Sequence, residues 1–363
     1  MIDLLALTVP ELEALVAEAG APAFRGRQIH HWLHQRFARQ VDDMTDLPRP
    51  LRSDLAARCR IGTLVEDAEQ TSRDGTIKRL YRLPDGQLIE SVLMPYKDGR
   101  RTACISSQAG CAMGCVFCAT GQMGFARHLS TTEIYEQAWR FAGELHARGE
   151  RLSNIVMMGM GEPFHNYEAA VAAMRRLMGD LGIGARHITV STVGLVPAIR
   201  RFAAEGLQVT LAVSLHAATD TQRDALLPVN RRYKLDELMD ACREYAEKAG
   251  RRVSFEWALI AGQNDSPEEA ARLGALLQGL PCHVNLIPLN PTARYDGAPT
   301  ALPDAEAFVS MLARFGVPAT VRVRRGIDID AGCGQLKSTV LKKRGAATTV
   351  PVSAGAQAPE AAS

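Results

Sequence analysis

The sequence predicts an α/β fold whose main part is an incomplete parallel barrel of the (β/α)6 type. Strand-like apolar runs alternate with helix-like stretches over the predicted core, residues 97–335, and this alternation is typical of parallel sheets. Polar residues stand where several of these runs end, which is the rim where βα barrels place their active sites. The predicted strands cover residues 102–106, 154–158, 187–191, 208–214, 253–260, 283–288 and 319–324.

Residues 1–60 are predicted to form a small helical domain before the barrel. Thr8 is a suitable N-cap for a first helix, because Glu11 follows at the capping-box position, and Gly20 marks the end of that helix. These short amphipathic segments bury one face each, so we expect them to pack together as a separate accessory unit.

A second helix over residues 26–37 has a markedly basic side. Its apolar residues form the stripe expected of a surface helix, and its basic side is either simply solvated or faces RNA. We expect His30, His31 and His34 to be solvated rather than to bind metal, because no carboxylate or cysteine is spaced to join them.

Two other segments flank the predicted core. Residues 61–96 alternate apolar and polar positions, with turn pairs at 74–75 and 85–86, and this predicts a short β meander that links the helical domain to the barrel. Residues 336–363 end in a stretch rich in Ala, Thr, Ser and Pro, so we expect this tail to be largely disordered.

Composition excludes several classes of protein. The 363 residues are 47% hydrophobic, which is ample for one large domain and a smaller one. Eight cysteines are too few for a disulfide scaffold, and their clustering favours a reducing compartment, so we expect a cytoplasmic protein with no leader and no membrane span. The net charge of +2 says little about partners, although basic runs at 322–325 and 342–344 are candidates for phosphate contacts.

Cys111, Cys115 and Cys118 form a C-x3-C-x2-C pattern, which is the strongest chemical signal in the chain. Three thiolates are too few for a closed structural site, whereas an iron–sulfur cubane held by three cysteines keeps one iron open for chemistry. The alternatives are a zinc knuckle with a distant fourth ligand or three buried cysteines. They are less favoured, because zinc sites usually repeat C-x2-C or mixed Cys/His pairs and no second pair is present.

A glycine-rich turn after the second predicted strand adds to this signal. Gly161 lets the backbone approach a ligand closely, and Glu162 stands where a carboxylate can accept hydrogen bonds from an ammonium group. Such turns are common alone, but this one follows the three-cysteine loop by a single strand.

These motifs resemble the radical S-adenosylmethionine superfamily, and within it the RlmN/Cfr family of adenine RNA methyltransferases. The resemblance extends over nearly the whole chain, with the blocks in the same order. They are SSQAGC at 106–111, GF at 124–125, MGMGEP at 158–163, STVG at 191–194, SLHA at 214–217, NLIP at 285–288 and RGIDIDAGCGQL at 325–336.

The resemblance implies a 4Fe-4S cluster on Cys111, Cys115 and Cys118, and S-adenosylmethionine as a cofactor, two molecules of which are used per turnover. It also implies an external electron donor, 23S rRNA and tRNA as partners, no membrane and a monomeric enzyme. The implied S-adenosylmethionine contacts are Gly161, Glu162, Ser191, Ser214, Leu215, His216 and Asn290.

The resemblance further implies a methyl-carrying cysteine at Cys333, a resolving cysteine at Cys104 and a general base at Glu90. In the implied mechanism Cys333 is methylated first, and its methyl carbon becomes a radical that adds to C2 of an adenine. The base then removes the C2 proton, and Cys104 releases the product as a Cys104–Cys333 disulfide forms. The expected targets are an adenine of 23S rRNA and the adenine next to the tRNA anticodon.

Residues alone leave alternatives open. Cys333 and Cys104 are compatible with buried structural thiols, and Glu90 with a surface carboxylate. A Cfr-like enzyme acting at C8 of adenine would share these motifs. A protein of another class, a non-catalytic RNA-binding protein with a structural zinc, would share the cysteines.

Overall fold

A computed structural model describes residues 1–337, which form an α/β fold. The strands are β1 Ile2–Asp3, β2 Cys59–Arg60, β3 Val65–Thr71, β4 Ile77–Arg82, β5 Leu88–Pro95, β6 Arg101–Cys104, β7 Gln108–Gly110, β8 Phe125–His128, β9 Asn154–Met157, β10 Ile188–Thr192, β11 Thr210–Ser214, β12 Val253–Leu259, β13 Cys282–Pro288 and β14 Ala319–Val321. The helices are α1 Val9–Glu18, α2 Phe24–His34, α3 Arg49–Arg58, α4 Ala119–Met123, α5 Thr131–Ala147, α6 Tyr167–Gly179, α7 Val196–Ala204, α8 Asp220–Leu226, α9 Leu235–Ala249, α10 Pro267–Leu277 and α11 Leu302–Arg314.

A ten-stranded sheet dominates the fold, in the order β14-β13-β12-β11-β10-β9-β6-β5-β4-β3. The strands from β6 and β9 to β14 pair in parallel, and β14 and β3 are the two ends, so the barrel does not close. The prediction of an α/β fold with an incomplete parallel barrel is confirmed. One predicted strand is too long, because 319–324 leaves the sheet after Val321 and its arginines turn to a cavity described below.

The meander belongs to the same sheet as the barrel. Strands β3, β4 and β5 are antiparallel, and β5 pairs with β6, so the main sheet runs through this segment without a break. Arg79 on β4 fixes the meander to α5, because its buried guanidinium pairs with Glu69, at 2.5 Å, and with Glu144 of the helix. The ring of Phe141 lies 5.1 Å from the same guanidinium. The boundaries at residues 60, 96 and 335 remain predictions.

The helical domain packs on the barrel helices α5 and α6 through α2. His34 is 1% exposed, and its Nδ1 lies 2.8 Å from the hydroxyl of Tyr135. His30 Nε2 lies 3.4 Å from a carboxylate oxygen of Asp180. The prediction of solvated histidines is therefore wrong for His34, because this side chain packs against Tyr135 of α5. The carboxylate beside His30 comes from Asp180, just after α6, which sequence spacing does not show. Burial lowers the pKa of His34 to about 3.

Other predicted segments agree with the structure in part. The backbone N–H of Thr8 donates to the Glu11 carboxylate at 2.7 Å, as the capping box predicts. Leu336, the first residue of the predicted tail, is buried, and the tail from residue 338 lies outside the described residues, as does the basic run at 342–344. Within residues 1–337, no helix combines the length and apolarity needed to cross a bilayer.

Two arginines on β4 provide a test of how the meander is held. We expect Arg79→Met to lower the free energy of unfolding by about 2 kcal/mol, because the carboxylates of Glu69 and Glu144 lose a buried partner. Arg82→Met is the matched control, since Arg82 is 47% exposed where it pairs with Asp67, and its loss should cost under about 1 kcal/mol. Urea unfolding of both variants measures the difference, and equal losses would contradict a special role for Arg79.

Candidate active site

The three cysteines of the C-x3-C-x2-C pattern lie on the loop between β7 and α4. The β7–β8 hairpin closes the base of this loop, where the Cys111 N–H donates to the Gly124 carbonyl at 2.8 Å. A Cβ atom on Gly110 would lie 2.1 Å from that carbonyl oxygen, so only glycine permits this approach. Cys111, Cys115 and Cys118 all line one wall of a cavity of about 150 Å³, which we name the three-cysteine cavity.

The three cysteine sulfurs are not gathered tightly around one point. Within the described residues, the group whose ligand atoms all lie within 4.8 Å of one another is His30, His34 and Asp180, and the three cysteines do not form such a group. Sulfurs around one tetrahedral zinc ion would lie about 3.8 Å apart. Burial raises the pKa of Cys111 to about 12, so a bound cation is needed to keep this ligand as a thiolate.

Glu162 faces the three-cysteine cavity from the turn after β9. Its two carboxylate oxygens accept the N–H groups of Phe164, at 2.9 Å, and Val193, at 2.8 Å. Gly161 makes this turn possible, because its φ is +102° and a Cβ atom there would lie 2.5 Å from Gln108 Cβ. Burial raises the pKa of Glu162 to about 7, so a cationic ligand in the cavity would favour the charged form.

Four more of the predicted cofactor residues line the same cavity, and one does not. Ser191 and Ser214 reach it from the ends of β10 and β11, together with His216 and Asn290. The His216 imidazole accepts the Ala258 N–H at 2.8 Å, and burial lowers its pKa to about 3, so it is neutral. Leu215 is buried but is absent from the cavity wall.

Cys333 lies on the loop after β14, which crosses from the barrel to the meander. The loop is held by Ser72, whose hydroxyl donates to Asp328 at 2.5 Å, and by Asn290, whose amide donates to the Cys333 carbonyl at 3.0 Å. Thr120 next to the cysteine loop donates to the Leu336 carbonyl at 2.7 Å. These contacts fix both ends of the segment that carries the thiol.

A second cavity, of about 230 Å³, adjoins the first along this loop, and we name it the arginine cavity. Its wall includes Cys104 and four arginines, Arg100, Arg322, Arg324 and Arg325. Both cavities share the wall residues Met158, Glu256, Ile287, Asn290, Cys333 and Leu336. Cys333 is therefore open to both cavities.

Cys333 and Cys104 are free thiols on the wall of the arginine cavity. Burial raises the pKa of Cys104 above its usual range, and the charge of Cys333 adds to the effect. The side chain of Cys333 has exposed surface because it opens into the two cavities, yet protein surrounds it closely and raises the pKa of this thiol too.

The structure does not bring Glu90 to either cavity. The side chain is 3% exposed, one oxygen lies 3.2 Å from Lys78 Nζ, and the other accepts the Lys337 N–H at 2.9 Å. Burial raises the pKa of Glu90, whereas the charge of Lys78 lowers it. The open alternative of a surface carboxylate is thus wrong, and a role as general base remains a prediction.

Several residues that sequence analysis missed contribute to the site. Glu256 lines both cavities, and a charged residue inside the apolar run of β12 was the available signal. Arg223 is 0% exposed and donates to the carbonyls of Val193 and Ser214, so it holds the strand ends that carry the predicted cofactor contacts. Nothing in the local sequence around Arg223 distinguishes it from a surface residue of a helix.

The buried pair of Lys78 and Glu90 yields a stability prediction. We expect Lys78→Met to destabilise the protein by about 3 kcal/mol, because it leaves the Glu90 carboxylate buried without its partner. Adding Glu90→Leu should recover most of this loss, since both charges are then gone. Lys248→Met, which breaks an exposed pair with Glu244, is the control and should cost under about 1 kcal/mol. Urea unfolding compares the variants, and a double variant no more stable than Lys78→Met would contradict the prediction.

Comparisons with known proteins agree with this geometry. The family model "Radical SAM superfamily" matches residues 105–274, and "Ribosomal RNA large subunit methyltransferase N-terminal domain" matches residues 2–61. A dual-specificity RNA methyltransferase RlmN 1 from Myxococcus xanthus (strain DK1622) is 53% identical over 96% of this chain and 97% of its own. A probable dual-specificity RNA methyltransferase RlmN from Moorella thermoacetica is 51% identical over 93% of this chain and 97% of its own.

The solved structures give the same result. The crystal structure of a radical SAM methyltransferase from Sphaerobacter thermophilus has a TM-score of 0.89 and 50% identity, covering 93% of this chain and 100% of that one. Two family models, close relatives and a solved structure thus converge on one assignment. The chain belongs to the radical SAM superfamily and, within it, to the RlmN family of RNA methyltransferases.

Proposed function

We propose that this protein methylates C2 of an adenine in 23S rRNA and of the adenine next to the anticodon in tRNAs, with Cys333 as the methyl carrier. The observation that carries the proposal is the position of Cys333 on a wall shared by the two cavities. A thiol in this position can receive a methyl group from one side and deliver it to a base on the other. The names of the relatives support RNA as the substrate.

The residues around the three-cysteine cavity fit the expected cofactors. Cys111, Cys115 and Cys118 would hold a 4Fe-4S cluster, and the Glu162 carboxylate would accept the ammonium group of S-adenosylmethionine. When bound, this pair supplies the methyl group and one-electron chemistry for hydrogen abstraction, and two S-adenosylmethionine molecules serve each turnover. Asn290 Oδ1 is buried without a hydrogen-bond partner in the described chain, so it is free to accept a donor of the cofactor.

Cys333 acts first as a nucleophile, and its thiolate is the reactive form. Because enclosure raises the pKa of this thiol, a proton must leave before the sulfur can accept a methyl group. The Asn290 amide and the Gly334 carbonyl, which accepts the Ala119 N–H at 2.7 Å, orient the loop on both sides of the sulfur. Preorganisation of this kind lowers the entropic part of the barrier.

Cys104 completes the reaction as the resolving thiol. Its thiolate attacks the sulfur of Cys333, an S–S bond forms, and the bond from that sulfur to the adenine-bearing carbon breaks with its electron pair going to carbon, which takes up a proton. Before this step the radical adduct would lose one electron, which the oxidised 4Fe-4S cluster could take up, and the C2 proton, which Glu90 would remove. To reach the adenine, Glu90 must first part from the Lys337 N–H. An external thiol reductant would then reopen the disulfide.

RNA would approach through the arginine cavity. Arg100, Arg322, Arg324 and Arg325 line it, and arginine is the residue best suited to paired contacts with phosphate. A target nucleotide that leaves its stack could enter between these side chains and reach Cys333.

We further propose that the protein works as a cytoplasmic monomer away from membranes, with electrons from an external donor. Methylation at C8 instead of C2 is the nearest alternative.

The proposal is tested with anaerobically reconstituted protein, unmodified RNA and S-adenosylmethionine labelled in its methyl group. We expect the label at C2 of adenine, mapped by mass spectrometry, and none on RNA incubated with Cys333→Ala. Cys59→Ala, which removes a buried thiol outside the site, should retain methyl transfer. Label at C8 would contradict the C2 assignment. A protein that keeps zinc, shows no iron–sulfide absorption and cleaves no S-adenosylmethionine would instead support the RNA-binding alternative.

Cys104→Ala is expected to trap the protein covalently joined to RNA, because no thiol remains to break the bond between Cys333 and the base. Denaturing electrophoresis with and without nuclease treatment detects the adduct. The double variant Cys104→Ala/Cys333→Ala is the control and should give none. Turnover by Cys104→Ala at the wild-type rate, with no adduct, would exclude Cys104 as the resolving thiol.

A further inference from the structure

Glu256 is a buried carboxylate with an unused oxygen at the junction of the two cavities. It is 4% exposed, and it lines both the three-cysteine cavity and the arginine cavity beside Cys333. One oxygen, Oε1, accepts the Asn285 amide at 2.8 Å. The other, Oε2, has no hydrogen-bond partner within the described residues.

An unpaired carboxylate oxygen at this depth is costly to the fold. Buried polar atoms in folded proteins are almost always paired, and an unsatisfied one typically costs about 1–3 kcal/mol. Arg322 is near enough to lower the pKa of Glu256, which burial raises, but no salt bridge forms between them in the described chain. The side chain is held in place by Asn285 and still lacks a donor, which indicates that a ligand supplies it.

The location limits what that donor can be. Glu256 and Cys333 line the same two cavities, so a donor that reaches Oε2 would bind in the space that the methyl carrier also lines. Adenine presents one strong donor on its base edges, the amino group on C6, and a carboxylate can accept from an exocyclic amino group, as it does from that of cytosine. The C2 atom carries no donor itself, so the amino group is the handle by which the base can be oriented.

We propose that Glu256 is a specificity-determining residue that accepts a hydrogen bond from the 6-amino group of the target adenine through Oε2. The inference rests on the proposed function and deepens it, since it names the group by which the base is recognised. Asn285 is the positioning residue, because its amide holds Oε1 and leaves Oε2 for the base. Adenine is then distinguished from purines that lack the amino group.

The competing assignment is a contact between Glu256 and the cofactor, since the side chain also faces the three-cysteine cavity. The two assignments differ in which step they affect. A cofactor contact would be needed for the first methyl transfer to Cys333, which does not require RNA. A base contact would be needed only when adenine is present.

The test compares two enzymes, the wild type and one variant, on each of two RNAs. The RNAs are identical except that one has adenosine and the other purine ribonucleoside at the target position, which keeps C2–H but lacks the amino group. The variant is Glu256→Gln, in which Asn285 should retain the amide oxygen and turn the NH2 group to the cavity. We expect the ratio of kcat/KM on the adenosine RNA to kcat/KM on the purine RNA to be roughly 10- to 100-fold larger for the wild type than for Glu256→Gln, as for loss of a hydrogen bond to a charged group.

Replacing adenosine by the purine also changes the reactivity of C2. This change affects the wild type and Glu256→Gln equally, so it cancels when the kcat/KM ratio of the two RNAs is compared between the two enzymes. Glu306→Gln, an exposed site on α11, is the matched control and should keep the wild-type ratio. Intact mass spectrometry of Cys333 methylation without RNA should be unchanged in Glu256→Gln. The same ratio in Glu256→Gln as in wild type, or loss of Cys333 methylation in that variant, would overturn the role of Glu256. Failure of the wild-type enzyme on both RNAs would overturn the proposed function itself.

Discussion

The arrangement depends on how the loop carrying Cys333 is seated between the barrel and the meander. This loop has little regular structure of its own, so its position is set by side chains of other segments, namely Ser72, Asn290 and Thr120. Each of these bonds is modest alone, about 1 kcal/mol in net terms. Together they hold the sulfur of Cys333 on the wall that the two cavities share. The other site residues are defined by which of the two cavities they line.

The site also concentrates buried polar groups, which are costly unless they are paired. Glu162 is paired with two backbone N–H groups, and Arg223 with carbonyls at the ends of the strands. Glu256 and Asn290, which line the shared wall, each have one buried oxygen without a partner among residues 1–337. The paired groups give the site its shape, and the unpaired ones are where ligands would bind. Within this small site, some buried polar residues therefore stabilise the fold and others are available to bind ligands.

The sequence predicted the α/β fold and most of the three-cysteine cavity, because both follow from local patterns. Cys111, Cys115 and Cys118 lie within eight residues of the chain, and parallel strands bring residues such as Ser191 and Ser214 to one rim. What local patterns could not show are contacts between distant segments. Glu90 is covered by Lys337, which follows it by 247 residues. Arg322 was expected within a strand, but the strand ends before it, and no propensity indicates that its side chain lines a cavity.

The docking of α2 on the barrel has a consequence for large ligands. Buried hydrogen bonds join His34 to Tyr135, and the indole of Trp139 to the Leu33 carbonyl, so the helical domain is fixed to α5 by contacts that water does not reach. The distance from the exposed end of α2 to the sulfur of Cys333 is therefore fixed by the fold. A polynucleotide that touched both would therefore have to match this fixed distance.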